Sequence, residues 1–218
     1  AADVRVLLVD DQDLFREGVR VIVDAQEGMH VVGTAGDGEE AVRMVAELEP
    51  DVVLMDIRMP VMDGVEATRR IFAGDVSARR TPVRVVVLTT FNLDDRAATA
   101  IRHGASGFLL KDTTPAQLRD AIRTVHAGNA VLAPTDLVTL LDSALVTPDP
   151  PPAAFTGLTD REREVFDAVA RGLSNAEIAA RVFTSESTVK THVGAILRKL
   201  ALRDRVQIVV FAHEHGLV

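Results

Sequence analysis

Four places in this chain hold side chains suited to handling a phosphoryl group: the paired carboxylates Asp10 and Asp11, the lone carboxylate Asp56, the hydroxyl of Thr89 and the amine of Lys111. Each stands directly after a short apolar run: VRVLLV before the pair, VVLM before Asp56, VRVVVL before Thr89 and GFLL before Lys111. Carboxylates brought within about 4 Å repel one another by several kcal/mol at an effective dielectric near 20. A divalent cation removes that cost, and an all-oxygen site with few carboxylates favours magnesium. A cation and a lysine to neutralise the transferring oxygens, with a hydroxyl to donate to one of them, suit phosphoryl transfer onto Asp56. That reaction demands mainly positioning and charge.

The elements that must position these groups follow from the pattern between them. Short apolar runs bounded by turn residues suit strands buried on both faces of a parallel sheet, here 4–9, 30–35, 52–56, 83–88 and 107–110. Helical patterns fill the intervals. The first can be capped by Asp13, with apolar positions Leu14, Val21, Ile22 and Ala25 at helical spacing; others follow Gly38, Asp63-Gly64, residue 94 and Pro115, the last ending near Gly128. Five strands alternating with five helices predict an α/β fold over residues 1–128, a five-stranded doubly wound parallel sheet. Its strand ends meet along one edge, where open α/β sheets place their ligands.

The rest of the chain has a different character. Of the net charge of −8, residues 155–218 carry +1 and the remainder −9, an asymmetry that points to two domains with different partners. Residues 129–157 read as a linker. Within it 134–145 can form a short helix, and VTPDPPPAAFTG at 146–157 is an extended tether spanning roughly 37 Å. Residues 158–218 are all helical, with helices at 160–171, 176–182 capped by Asn175, 186–200 after Ser185, and 204–214. The pair joined by a short turn is a helix-turn-helix candidate, making the tail a small all-α four-helix domain. At about 100° per residue, Val189, Val193, Ile196 and Leu200 form the buried stripe of its third helix, while Ser187, Lys190, Thr191, Gly194 and Arg198 share another face. That face is small and polar or basic, as entry into the major groove of double-stranded DNA requires. In the last helix Val206, Val209, Val210 and His213 either form a dimer seam or cover the core.

There is no cysteine, which excludes disulfides and thiolate chemistry. The N-terminal apolar run reads as a strand rather than a signal peptide, and no run approaches membrane-spanning length, so no membrane partner is expected. Two enzyme readings fit poorly. A haloacid-dehalogenase-type phosphatase needs a second Asp two positions after its nucleophile, where Arg58 stands; a nucleotide binder needs a glycine-rich loop after the first strand, where two carboxylates stand.

Residues 3–127, with Asp10-Asp11, LMDIRMPVMDG, Thr89 and GFLLKD, resemble the receiver domain of a two-component response regulator. The resemblance implies that Asp56 accepts a phosphoryl group from a sensor histidine kinase. It also implies that Asp11, Asp56 and the backbone carbonyl of Arg58 hold Mg2+, with Asp10 supporting through water. Phe108 takes the place of the aromatic switch residue, and Asp112 stands where many receivers have proline. Arg58 and Thr90 occupy positions that tune dephosphorylation in that family. The stretch LTDREREVFDAVARGLSNAEIAARVFTSESTVKTHVGAILRKLALRDRVQIV resembles the LuxR-type helix-turn-helix of NarL/FixJ regulators. Lys190, Thr191 and Gly194 then face bases, Gly194 standing where a basic residue is frequent, and Arg198, Lys199 and Arg203 contact phosphates. The family implies a bacterial cytoplasmic transcription factor, not an enzyme, that becomes a homodimer on activation. The alternative is a constitutive DNA-binding dimer whose receiver is not gated by phosphate.

Overall fold

Aliphatic runs of four to seven residues, rich in valine, are too short to be core helices and pack well on a pleated surface. In the computed structural model, which describes residues 3–73, 82–90, 95–129, 138, 141 and 150–218, all five become strands. They are β1 (Val4–Val9), β2 (Met29–Ala35), β3 (Val52–Asp56), β4 (Arg84–Thr89) and β5 (Gly107–Leu110). The order is β2-β1-β3-β4-β5 and every neighbouring pair is parallel. The helices α1 (Asp13–Asp24), α2 (Gly38–Leu48), α3 (Gly64–Ala73), α4 (Asp95–Arg102) and α5 (Pro115–His126) make the crossovers. The chain divides into two units, Ala1–Val131 and Leu132–Val218.

Alternation along the strands divides the core of the first unit. Val4, Val6, Leu8, Val52, Leu54, Val86 and Leu88 cluster with Val19 and Val23 of α1 and with Leu118, Ile122 and Val125 of α5. The intervening residues Leu7, Val53, Met55, Val85 and Val87 are equally buried, and Leu7 shares the α2 side with Met44 and Leu48 around Gly33. Burying each such side chain stabilises the fold by about 1.5–3 kcal/mol, so both faces must be covered by helices.

The expectation for α1 needs correction. Leu14 and Val21 are 88% and 68% exposed, and the helix buries Val19 and Val23 with Phe15 and Ile22 packed alongside. Both sets have helical spacing; the sheet selects the one that reaches Leu8 and Leu88. Asp13 is the first residue of α1 and pairs with Arg16, while Gln12 holds the cap position.

Val61, in the loop between β3 and α3, has φ 65 and is 79% exposed. A β-branched residue in the left-handed region carries about 1–2 kcal/mol of strain. Val61→Gly is expected to raise receiver stability by a net ~0.5–1 kcal/mol, once glycine's extra unfolded-state entropy is deducted, read as a higher denaturant midpoint.

The second unit contains α6 (Ala153–Thr156), α7 (Asp160–Ala170), α8 (Asn175–Arg181), α9 (Glu186–Lys199) and α10 (Arg205–Glu214). The expected helix over 134–145 lies outside the described residues except for Val138 and Leu141. The extended reading of 146–157 fails at its end. Residues 153–156 form a helical turn, and Phe155 is buried at 5.1 Å from Phe166 and 6.1 Å from Phe211, ring centre to ring centre. An aromatic side chain of that area is more stable inside than on a tether. Thr159 with Glu162, and Ser174 with Glu177, form capping boxes that start α7 and α8, so Ser174 rather than Asn175 is the cap. Ser185 caps α9 as expected.

Candidate functional site

Parallel pairing brings the ends of β1, β3, β4 and β5 to one rim. One carboxylate oxygen from each of Asp10, Asp11 and Asp56 lies within 4.8 Å of the others. Asp10 and Asp56 are buried and Asp11 is exposed, so the cluster opens to solvent on one side. The backbone N–H of Gln12 donates to Asp10 Oδ1 at 2.9 Å, and that of Arg58 donates to the Asp56 carboxylate. Lys111 Nζ stands 2.6 Å from Asp10 Oδ2 and 3.0 Å from Asp56 Oδ2, with its side chain 9% exposed. Asp11, Gln12, Asp56, Ile57, Arg58, Thr89, Thr90 and Lys111 line a cavity of about 160 Å³. The convergence expected from strand ends is therefore present.

The electrostatics are those of a crowded anionic site. Burial pushes the Asp56 carboxyl above the usual range; Lys111 works against this, and Asp10 adds to it. Burial alone would lower the Lys111 pKa, but its hydrogen bonds and charge contacts with Asp10 and Asp56 outweigh that and hold it raised. One ammonium offsets only one of the two buried carboxylate charges. A hard divalent cation fits the remaining demand, because three carboxylates converge on so little space.

Glycines let the supporting backbone approach. A Cβ on Gly64 would stand 2.0 Å from the Asp56 carbonyl oxygen, and one on Gly38 would stand 2.6 Å from that of Met62. Arg16 was invisible as a contributor in the sequence; its guanidinium donates to the Asp10 carbonyl and pairs with Asp13, bracing the loop that carries Asp11. Phe108 on β5 is half-buried.

On α9 the stripe of Val189, Ile196 and Leu200 is buried and Val193 is half-buried. Ser187, Lys190, Thr191, Gly194 and Arg198 are all exposed on one side of the helix. Lys199, an expected phosphate contact, is exposed and ion-paired within its own unit. Its ammonium lies 2.6 Å from buried Glu162 and donates to the Gly157 carbonyl, holding the Glu162 carboxyl down at about 2. Arg203 is half-buried. Val206, Val209 and Val210 are 0%, 2% and 3% exposed and His213 is half-buried, so the core-covering alternative describes the three valines, and a seam through them requires that they first be uncovered.

Open space surrounds the Cβ position of Gly194. Gly194→Ala is accordingly expected to stabilise the helical unit by about 1 kcal/mol, measured as a shift in its thermal midpoint.

A sheet whose rim gathers these acids, followed by a capped helix-turn-helix, defines a receiver joined to a DNA-binding domain. Residues 6–123 match the family described as "Response regulator receiver domain", and residues 156–212 match "Bacterial regulatory proteins, luxR family". The chain is 41% identical to the uncharacterized transcriptional regulatory protein YxjL of Bacillus subtilis (strain 168), over 99% of this chain and 97% of that protein. It is 39% identical to the transcriptional regulatory protein LiaR of the same organism, over 99% of both chains. The crystal structure of the response regulator ChrA of a heme-sensing two-component system aligns over 100% of both chains, with TM-score 0.52 and 32% identity. The chain belongs to the response regulators with a LuxR-type DNA-binding domain; it is a transcriptional regulator of the two-component type. No helix among the described residues is long and apolar enough to cross a membrane.

Proposed function

We propose that Asp56 accepts a phosphoryl group from a sensor histidine kinase and that its modification controls DNA binding by α9, in the bacterial cytoplasm and through a homodimer. The observation that carries this reading is the convergence of Asp10, Asp11, Asp56 and Lys111, the last three lining one small cavity. An Asp56 oxygen forms a bond to phosphorus as the donor's bond to phosphorus breaks, and the electron pair leaves with the donor. Lys111 lies close enough to turn from the carboxylates to the arriving oxygens, and the Thr89 hydroxyl at the end of β4 donates to one of them. Asp11, Asp56 and the backbone carbonyl of Arg58 would hold Mg2+, with Asp10 supporting through water, and the ion would supply neutralising charge there. The ammonium and a metal compete for Asp10, so metal binding favours Lys111 near the phosphoryl group.

Phosphate then biases the receiver between two states through Thr89 and Phe108, which it can do only by interacting differently with each. Ser187, Lys190, Thr191, Gly194 and Arg198 read DNA, with Lys190 and Thr191 facing bases and Arg198 and Arg203 reaching phosphates. Two such tails read half-sites near one helical turn apart. The test is intact-mass analysis after incubation with acetyl phosphate, with and without Mg2+. One phosphoryl group added only with the metal, and absent in Asp56→Asn, is expected. Uptake at another residue, or multiple-turnover hydrolysis of a phosphoester, overturns the assignment.

A further inference from the structure

The Lys111 ammonium has a third neighbour besides its two carboxylates. It sits over the ring of Phe15, 4.9 Å from the centroid. Phe15 is in the first turn of α1, four residues after Asp11, so the connection from β1 that carries the acidic pair leads directly into the turn that carries this ring. The ring is half-buried against the core that includes Val19 and Leu88.

The side chain of Lys111 is only 9% exposed. It runs beside an apolar hollow of about 230 Å³ lined by Phe15, Val19, Leu88, Leu110, Lys111 and Leu118, among others. The long stem lies along the wall of this hollow, and what its charge touches places the ammonium. Two of those contacts, Asp10 and Asp56, are the groups a metal and a phosphoryl group engage. Once they are engaged, their pull on the ammonium falls. The attraction of an aromatic face for a desolvated cation does not depend on the carboxylates and persists through that exchange.

We infer that Phe15 is a positioning residue for phosphoryl transfer, its ring face keeping the Lys111 ammonium at the pocket wall while the carboxylates change partners. This rests on the reading of Asp56 as the acceptor. It is separate from a role in core packing, which a leucine of similar size would fill.

The contact can be read without any reaction. The chain has three lysines, at 111, 190 and 199, so an NMR spectrum of the full chain with labelled lysine is readily assigned. The Lys111 ε-methylene protons are expected to show an upfield ring-current shift, retained in Phe15→Tyr and lost in Phe15→Leu. In the same proteins, phosphoryl uptake from acetyl phosphate at saturating Mg2+ should fall about five- to tenfold in Phe15→Leu, in the saturated rate rather than in KM, and stay within about twofold in Phe15→Tyr. Mono-, di- and trifluorinated phenylalanine at position 15, which weaken the ring's negative face with little change of shape, should lower the rate in steps. These variants keep the test open if leucine disturbs folding. Absence of the shift in the wild-type chain, or a rate indifferent to leucine and to fluorination, overturns the inference. A wild-type chain that takes up no phosphoryl group overturns the acceptor reading as well, and so is told apart from failure of the inference alone.

Discussion

Asp56→Asn is expected to abolish phosphoryl uptake and, at neutral pH, to make the receiver more stable. The first effect follows from removing the nucleophilic oxygen, for which the amide is no substitute. The second follows from the cost of the buried charge. Burial raises the folded-state pKa of Asp56 above its ordinary value of 3.8, with Asp10 adding to the shift against Lys111. A carboxyl whose folded pKa is raised is protonated more readily in the native state, so native stability falls as pH climbs from 3.8 through the folded value. Below that window both states are protonated and the cost vanishes. Thermal melts of wild type and Asp56→Asn should therefore converge in acid and separate as pH rises, with the variant higher. Magnesium should stabilise the wild type, by about 2.7 kcal/mol at a hundredfold excess over Kd, and stabilise Asp56→Asn much less. Coincident melts at neutral pH would mean that Lys111 already compensates the charge in full.

Gly64→Ala should be severely destabilising. Its Cβ would meet the Asp56 carbonyl oxygen at 2.0 Å, the Asp56 carbonyl carbon at 2.9 Å and Met55 Cγ at 3.0 Å. The first two are backbone atoms at the end of β3 and cannot swing aside, and the Gly64 N–H also donates to the Ile57 carbonyl. Either α3 lifts from the sheet or the phosphoacceptor moves. A loss of about 3–5 kcal/mol in the denaturant midpoint is expected, with slower phosphoryl uptake in whatever remains folded. Gly18→Ala is the matched control. Nothing lies within 4 Å of that Cβ position on α1, so it should be neutral or gain up to about 1 kcal/mol. Equal outcomes for the two would refute the steric argument.

The fold was legible because its units are local. Each strand announces itself by a valine-rich run, each crossover by helical spacing, and parallel topology then forces Asp10, Asp56, Thr89 and Lys111 to one rim. The capping boxes at Thr114, Thr159 and Ser174 join residues three positions apart, yet the expected cap of α8 fell one residue late, on Asn175. Features that depend on a distant surface were not legible. Which stripe of α1 faces inward is decided by the sheet, so Leu14 and Val21 read as core yet stand exposed. The ion pair of Lys199 is hidden in the sequence because its partner, Glu162, lies thirty-seven positions away. Phe155 reads as linker because the rings it meets, on α7 and α10, come together only in the fold. Phe15 falls in the same class, since only tertiary structure places a ring from α1 under a lysine at the end of β5.

The decisive measurement compares DNA affinity and oligomeric state of the full chain with and without beryllofluoride and Mg2+, in wild type and in Asp56→Asn. Beryllofluoride mimics the phosphoryl group on a carboxylate without needing a kinase. At least about tenfold tighter DNA binding together with dimer formation is expected in the wild type, and no change in the variant. Unchanged affinity and assembly in the wild type, or the same gain in both proteins, would contradict control of the helix-turn-helix by Asp56.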